Sequence, residues 1–173
     1  MCIRDSTNIE LAWSFNQGDA KALQGTVSEE GLFSYATSSL GSDLEFLGTN
    51  KAGSLTVTKV QPKVKASNNG DGNAISFSLK TKKGLSLSVK SFSFDACKLG
   101  TNGGSIDVVA EAGGKSYELL KDESPQNAKN DPYFTHYKAD LSQIPATEGE
   151  WVIKVFVKNV AINKQYGLSL IHI

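Results

Sequence analysis

Between residues 74 and 120 the chain alternates apolar and polar positions in four short runs. Ile75, Phe77 and Leu79 form the first apolar set; Leu85, Leu87 and Val89 the second. The phase then slips by one, and Phe92, Phe94 and Ala96 carry the apolar side. Ile106, Val108 and Ala110 follow, then an Ala112-Gly113-Gly114-Lys115 turn, then Tyr117 and Leu119. Side chains on a strand alternate between faces, so period-two runs bounded by Gly, Asn and Lys read as half-buried antiparallel strands. The slip between Val89 and Phe92 predicts a β-bulge or a change of sheet, because one extra residue re-aims the apolar face. The Gly103-Gly104 turn reads as architecture rather than a phosphate or ligand loop.

The same pattern extends in both directions. Ile9, Leu11, Trp13 and Phe15 alternate in a first strand, with Trp13 on its apolar parity and therefore a core anchor. Residues 18–31 are polar, with a short strand around Val27. Residues 32–38 form a second strand, 44–47 a short run, and 54–64 another, where Pro62 marks an edge or a strand end. SNNGDGN (67–73) is a turn. Residues 133–141 place Thr135, Tyr137, Ala139 and Leu141 on one side. Residues 150–160 do the same with Trp151, Ile153, Val155 and Val157. No segment has the spacing of a three-turn amphipathic helix. Nine or ten short strands separated by Gly, Asn and Pro turns predict an all-β fold, an antiparallel β-sandwich or jelly roll, in a single domain over residues 7–167.

The two ends stand apart. MCIRDS (1–6) reads as a translated transposase-adapter sequence, and LSLIHI (168–173) as its reverse complement. Both are set aside from functional reasoning as a processing scar. The expectation is an internal piece of a longer open reading frame whose terminal residues 168–173 are β-prone enough to imitate a final strand. Without them the chain keeps one cysteine, Cys97, one histidine, His136, and lysine as its only strong cation. One cysteine forms no internal disulfide and excludes a multi-cysteine zinc site. With 18 basic and 18 acidic residues the net charge is zero, which gives no electrostatic case for nucleic acid or an anionic membrane. No apolar run approaches the ~20 residues that span a bilayer.

Several motifs in order resemble a jelly-roll module that recurs in secreted, multidomain proteins of Bacteroidota. AWSF (12–15) matches an opening Trp-Phe strand, and AISFSLKTKKGLSLSVKSFSF the strand-turn-strand that follows. LGTNGGSIDV (99–108), ATEGEWVIKVFVKNV (146–160) and NKQYG (163–167) complete the series. The resemblance implies a galactose-binding-like, carbohydrate-binding-like jelly roll, secreted or at the cell surface. Its partners would be a polysaccharide or glycan and neighbouring domains of the same chain.

Candidate chemistry is sparse. Tyr35, Tyr133 and Tyr166 are tyrosines near loops, and an aromatic face stacks on the C–H face of a sugar ring. His136 is a sugar contact or, for a lyase, a base; the plainer reading is a partly exposed strand histidine. These four are the ligand-binding candidates. Glu29, Glu30, Asp43, Glu45, Asp95 and Asp107 are carboxylates from which a hydrolase pair would have to come, and sequence spacing does not test their separation. Asn68, Asn69, Asp71 and Asn73 offer oxygen ligands for a structural Ca²⁺, but in no EF-hand spacing, and a plain Asn/Gly turn explains them. No catalytic triad, metal motif or cofactor motif is present, so no catalytic residue, metal or cofactor is assigned. The expected function is a non-catalytic carbohydrate-binding accessory module. The alternatives are a structural spacer or adhesion sandwich without a glycan site and, further off, a polysaccharide lyase or glycoside hydrolase.

Overall fold

The computed structural model describes residues 9–101, 104–162 and 164–173. The amino-terminal adapter reading, Asn102 and the Gly103 half of the Gly103-Gly104 turn, and Asn163 of the closing motif lie outside the described residues. Within them the strands are β1 (Leu11–Trp13), β2 (Gly25–Val27), β3 (Phe33–Leu40), β4 (Leu44–Ala52), β5 (Leu55–Pro62), β6 (Ala74–Thr81) and β7 (Ser86–Leu87). They continue with β8 (Ser91–Leu99), β9 (Ser105–Ala112), β10 (Lys115–Glu123), β11 (Thr135–Asp140), β12 (Thr147–Glu148), β13 (Glu150–Lys158) and β14 (Gln165–His172). Three short 3₁₀ turns complete the elements, at Ala20–Leu23, Glu30–Leu32 and Asp71–Asn73.

Every pairing between these strands is antiparallel. A five-stranded sheet runs β10-β9-β13-β6-β3. A seven-stranded sheet runs β11-β8-β14-β1-β2, with β5 also on β14 and β4 on β5. β7 and β12 form a two-stranded ribbon. The fold is the antiparallel jelly-roll sandwich that the alternation predicts. The core lies between the sheets and is laced by aromatic contacts. Trp13 meets Phe77 edge-on at 4.9 Å, Phe77 meets Phe92 at 5.9 Å, Phe92 meets Phe94 at 5.5 Å, and Phe94 stacks on Tyr137 at 5.1 Å. Such pairs add to area burial because ring edges and faces carry opposite partial charge.

The slip between Val89 and Phe92 is a change of sheet. β7 belongs to the ribbon, and after residues 88–90 the chain enters the seven-stranded sheet as β8. The β9–β10 hairpin turns through Gly113 and Gly114 at φ +57° and +73°, the left-handed pair that a two-residue hairpin loop requires. β4 is longer than the glycine pattern predicts. Gly48, at φ +78°, sits inside the register shift between Phe46 and Thr49, so it shapes a bulge rather than ending the strand. Pro62 is the last residue of β5.

β14 includes residues 168–172, which the sequence reading assigns to adapter. Leu168 and Ile171 are buried in the core, and the pairing with β8 slips between them. Their place in the sheet does not bear on their origin. Among the described residues no helix is long and apolar enough to cross a membrane.

Candidate functional site

The outward side of the five-stranded sheet is built from the residues that alternate with its core positions. Register aligns them in rows that cross the strands. Tyr35, Lys80 and Glu150 form one row. Thr37, Ser78, Val152, Glu111 and Ser116 form the next, across all five strands. Ser39, Ser76, Lys154, Val109 and Glu118 form a third. The floor on the β3–β6 side is thus small and hydroxyl-bearing, and carboxylates concentrate toward β9 and β13.

Both ends of this floor are walled. At one end residues 66–73 strap across it. Ala66 accepts a hydrogen bond from the Asn159 amide at 2.7 Å, the Asn73 side chain donates to the Val157 carbonyl at 2.9 Å, and Asp71 pairs with Lys154 at 3.0 Å. At this end the outward residues Asp107, Phe156 and Lys158 are buried. At the other end the Gly113-Gly114 hairpin and the β12 carboxylate Glu148 stand up around an open cleft of about 610 Å³. Glu111, Lys115, Ser116, Glu150 and Val152 also line it. Between strap and hairpin the outward rows of the sheet run across the strands, and the cleft itself is confined to the β13, β9 and β10 side. Five strands span four gaps, about 19 Å, enough for a short oligosaccharide.

The polar groups of the floor are held in place. The Tyr35 hydroxyl donates to Glu150 Oε1 at 2.8 Å, reaching over β6 to do so. The two backbone positions are about 9.6 Å apart, two strand spacings. The side chain must therefore lean across β6. The hydrogen bond to Glu150 holds the Tyr35 phenol above its ordinary pKa. Lys80 Nζ lies 6.0 Å from the ring centroid. Lys154 is bracketed by Glu111 at 2.9 Å and Asp71 at 3.0 Å. Burial lowers the Lys154 pKa, but hydrogen bonds to both carboxylates outweigh it and hold the ammonium above its usual range. Glu148 Oε1 accepts from the Gly84 amide at 2.9 Å.

The four ligand candidates read from sequence do not converge. Tyr35 lies on the outward side of the five-stranded sheet, joined to the cleft through Glu150. His136 stands on the outer face of the other sheet, 59% exposed, with its Nδ1 2.7 Å from Asp95 Oδ1. That separates it from Tyr35 and from the cleft carboxylates, so His136 does not lie in the cleft that a lyase or hydrolase reading asks for. Tyr133 is 40% exposed on the segment that follows β10, its ring against Gly53. Tyr166 corrects the expectation: its side chain is fully buried, and burial drives its phenol pKa far up, so it offers no face to a ligand. The oxygen ligands considered for Ca²⁺ serve the strap. Asp71 pairs with Lys154, Asn69 hydrogen-bonds Asp107, and Asn73 Oδ1 accepts the Gly70 amide at 2.9 Å. Among the described residues no cluster of three or more His, Cys, Asp or Glu side chains is arranged for a metal.

Lys80, Glu111 and Glu150 were not singled out in sequence. Their only signal is membership of the polar parity in β6, β9 and β13. What brings them together is strand pairing: Tyr35 and Glu150 are 115 residues apart.

No protein-family model matches the chain, and no curated protein matches it. Solved structures do. The carbohydrate-binding module CBM27-1 of Caldicellulosiruptor saccharolyticus, in complex with mannohexaose, superposes with a TM-score of 0.46 at 11% identity, over 97% of each chain. The family 11 carbohydrate-binding module of Clostridium thermocellum, with a beta-1,3-1,4-mixed-linked tetrasaccharide, gives 0.42 at 12% identity, over 96% of each. TmCBM61, in complex with beta-1,4-galactotriose, gives 0.41 at 14%, over 84% of this chain and 92% of that one. Likeness at this level carries no argument about ligand.

Proposed function

We propose that the chain is a non-catalytic carbohydrate-binding accessory module of a secreted or cell-surface multidomain protein, and that a glycan lies across the floor formed by β3, β6, β13, β9 and β10. One observation carries this reading: an open cleft on the outward side of the five-stranded sheet, at whose border Glu150 holds the Tyr35 hydroxyl and so fixes an aromatic ring beside it. The ring offers an apolar surface to a sugar C–H face. Thr37, Ser76, Ser78 and the cleft carboxylates offer hydrogen-bonding partners to its hydroxyls. Secretion and multidomain context rest on the family resemblance alone.

A spacer or adhesion role is the second reading. It is favoured by the same floor having Tyr35 as its aromatic group, where a strong sugar platform would have several. Affinity electrophoresis and calorimetry against a panel of plant and host polysaccharides decide between them. The expected result is retention by at least one polysaccharide, weakened roughly tenfold or more in Tyr35→Ala. Retention by none of them, or binding that Tyr35→Ala leaves unchanged, overturns the glycan-site reading.

A further inference from the structure

The lysines on the floor strands β6 and β13 are not equivalent. Lys154 faces two carboxylates, Glu111 and Asp71; Lys158 faces Asp107 and Asp122. Lys80 faces neither kind of partner. Its cross-strand neighbour Glu150 gives Oε1 to the Tyr35 hydroxyl instead. Among the described residues Lys80 makes no ion pair, and the group beside its ammonium is the Tyr35 ring at 6.0 Å. That is the outer limit of a cation–π contact and a weak hold at an exposed site. Among the described residues Lys80, like Lys115 at the hairpin, is in no ion pair, and Lys80 is the one of the two that stands next to the Tyr35 ring.

We propose that Lys80 selects a glycan bearing an anionic group, a uronic-acid carboxylate or a sulfate ester, on or next to the sugar that stacks on Tyr35. This rests on the glycan-site reading and deepens it. A stacked ring places its substituents at the rim of the tyrosine, and an exocyclic anion pointing toward β6 meets the ammonium without displacing any existing ion pair. The hairpin end has the reverse character: Glu111 and Glu148 line the cleft with Lys115, and Glu150, whose Oε1 takes the Tyr35 hydroxyl, borders both regions. An anion there would meet like charge. The floor therefore orients an acidic glycan, with the charged unit over the Tyr35–Lys80 corner and uncharged units toward the hairpin. One solvent-exposed ion pair is worth a modest factor, so the expected preference is roughly two- to fivefold, decreasing with salt.

The test compares polygalacturonate, its fully methyl-esterified form and a sulfated galactan, each titrated against the whole chain and against Lys80→Met, Lys80→Arg and Tyr35→Ala. Methyl esterification removes the charge while nearly preserving ring shape. The expected result is a preference for a charged polymer over the neutral ester that Lys80→Met abolishes and Lys80→Arg retains. Selectivity confined to the sulfated galactan, with the same dependence on Lys80, supports the proposal with sulfate as the anion. Equal binding of charged and neutral polymers, or a preference that survives Lys80→Met, overturns it while leaving the glycan-site reading intact. Binding that Tyr35→Ala does not weaken overturns both.

Discussion

The walled end of the floor depends on a buried charge cluster, and removing its cation is a sharp test of the architecture. Lys158 is 8% exposed and Asp107 3%. Their charged atoms are 2.7 Å apart. Asp107 Oδ1 also accepts the Asp122 amide at 2.8 Å, which the left-handed backbone of Asp122 (φ +51°) turns toward it, and Asn69 donates to the same carboxylate. Lys158→Met keeps most of the stem volume and deletes the charge, leaving a buried carboxylate without its counter-ion. Breaking such a pair costs about 3–5 kcal/mol. The amide and Asn69 still bond Asp107, and the Asp122 carboxylate, 60% exposed, contributes little, so the lower figure applies. About 3 kcal/mol corresponds to about 6–12 °C in Tm for a domain of this size. Asp107→Asn/Lys158→Met removes both charges and is expected to recover more than half of the loss.

The pH dependence follows from the same groups. Burial pushes the Asp107 carboxyl up, but the Lys158 bond, the Asp122 amide and Asn69 outweigh it and hold it below the usual carboxylate range. Burial pushes Lys158 down, and Asp107 and Asp122 outweigh that to hold it above the usual lysine range. A depressed carboxyl contributes stability above its unfolded value, near 3.9, and loses it as pH falls through the folded value. A raised ammonium contributes below its unfolded value, near 10.4, and loses it as pH rises through the folded one. The pair's contribution is therefore level from about pH 5 to 9. The Lys158→Met deficit should shrink in acid, where protonation of Asp107 removes the orphaned charge. Thermal unfolding by circular dichroism from pH 3 to 9 measures this. A Lys158→Met variant within about 0.5 kcal/mol of wild type at pH 7, or a double variant no better than the single, refutes the reasoning.

Two further outcomes are expected. A Cβ on Gly25 would fall 2.4 Å from Trp13 Nε1, inside a ring with no free space to retreat into, so Gly25→Ala should destabilise by about 1–3 kcal/mol in denaturant titration; an unchanged midpoint would mean that β2 is loosely held. Burial pushes the Cys97 thiol up to about 11, so in a Cys2→Ser background it should resist a thiol reagent at pH 8 and react only on unfolding; rapid labelling of the native protein would mean its cover opens.

Inward positions were legible in the sequence because strand parity and burial are the same information. Trp151, Ile153, Val155 and Val157 share one apolar face on paper and line the core in fact. The Val89–Phe92 slip was legible for the same reason: two residues three apart cannot both point inward on one regular strand. Cys97 shows where parity fails. It belongs to the polar side of β8, yet it is fully buried with Ala52 and Val57, because Phe134 and Ala128 fold over that face. The strap is another case. SNNGDGN announces a turn, but nothing local says that Asp71 will reach Lys154 or that Asn69 will meet Asp107. Those contacts depend on which strands become neighbours. The outward rows follow suit, since each draws on strands as far apart in sequence as Tyr35 and Glu150, 115 residues.

The two outer faces explain why a ligand site falls where it does. On the seven-stranded sheet the outward side of β5, β8 and β14 is occupied by the chain itself. Residues 126–128 pair with Lys98 in the plane of the sheet, and from there Ala128 and Phe134 pack against the outward cluster of Ala52, Val57 and Cys97. Beside this cover lies the His136–Asp95 pair, which is not part of the cleft. On the five-stranded sheet the described residues cover the Asp107–Lys158 end and leave Thr37, Ser39 and Glu118 exposed. The inward residues of these same strands determine the fold, so Thr37, Ser78, Val152 and Glu111 can change without disturbing the core. A surface that is shaped at both ends, polar along its length and free of packing duties is where selection for a ligand meets the least opposition from selection for stability.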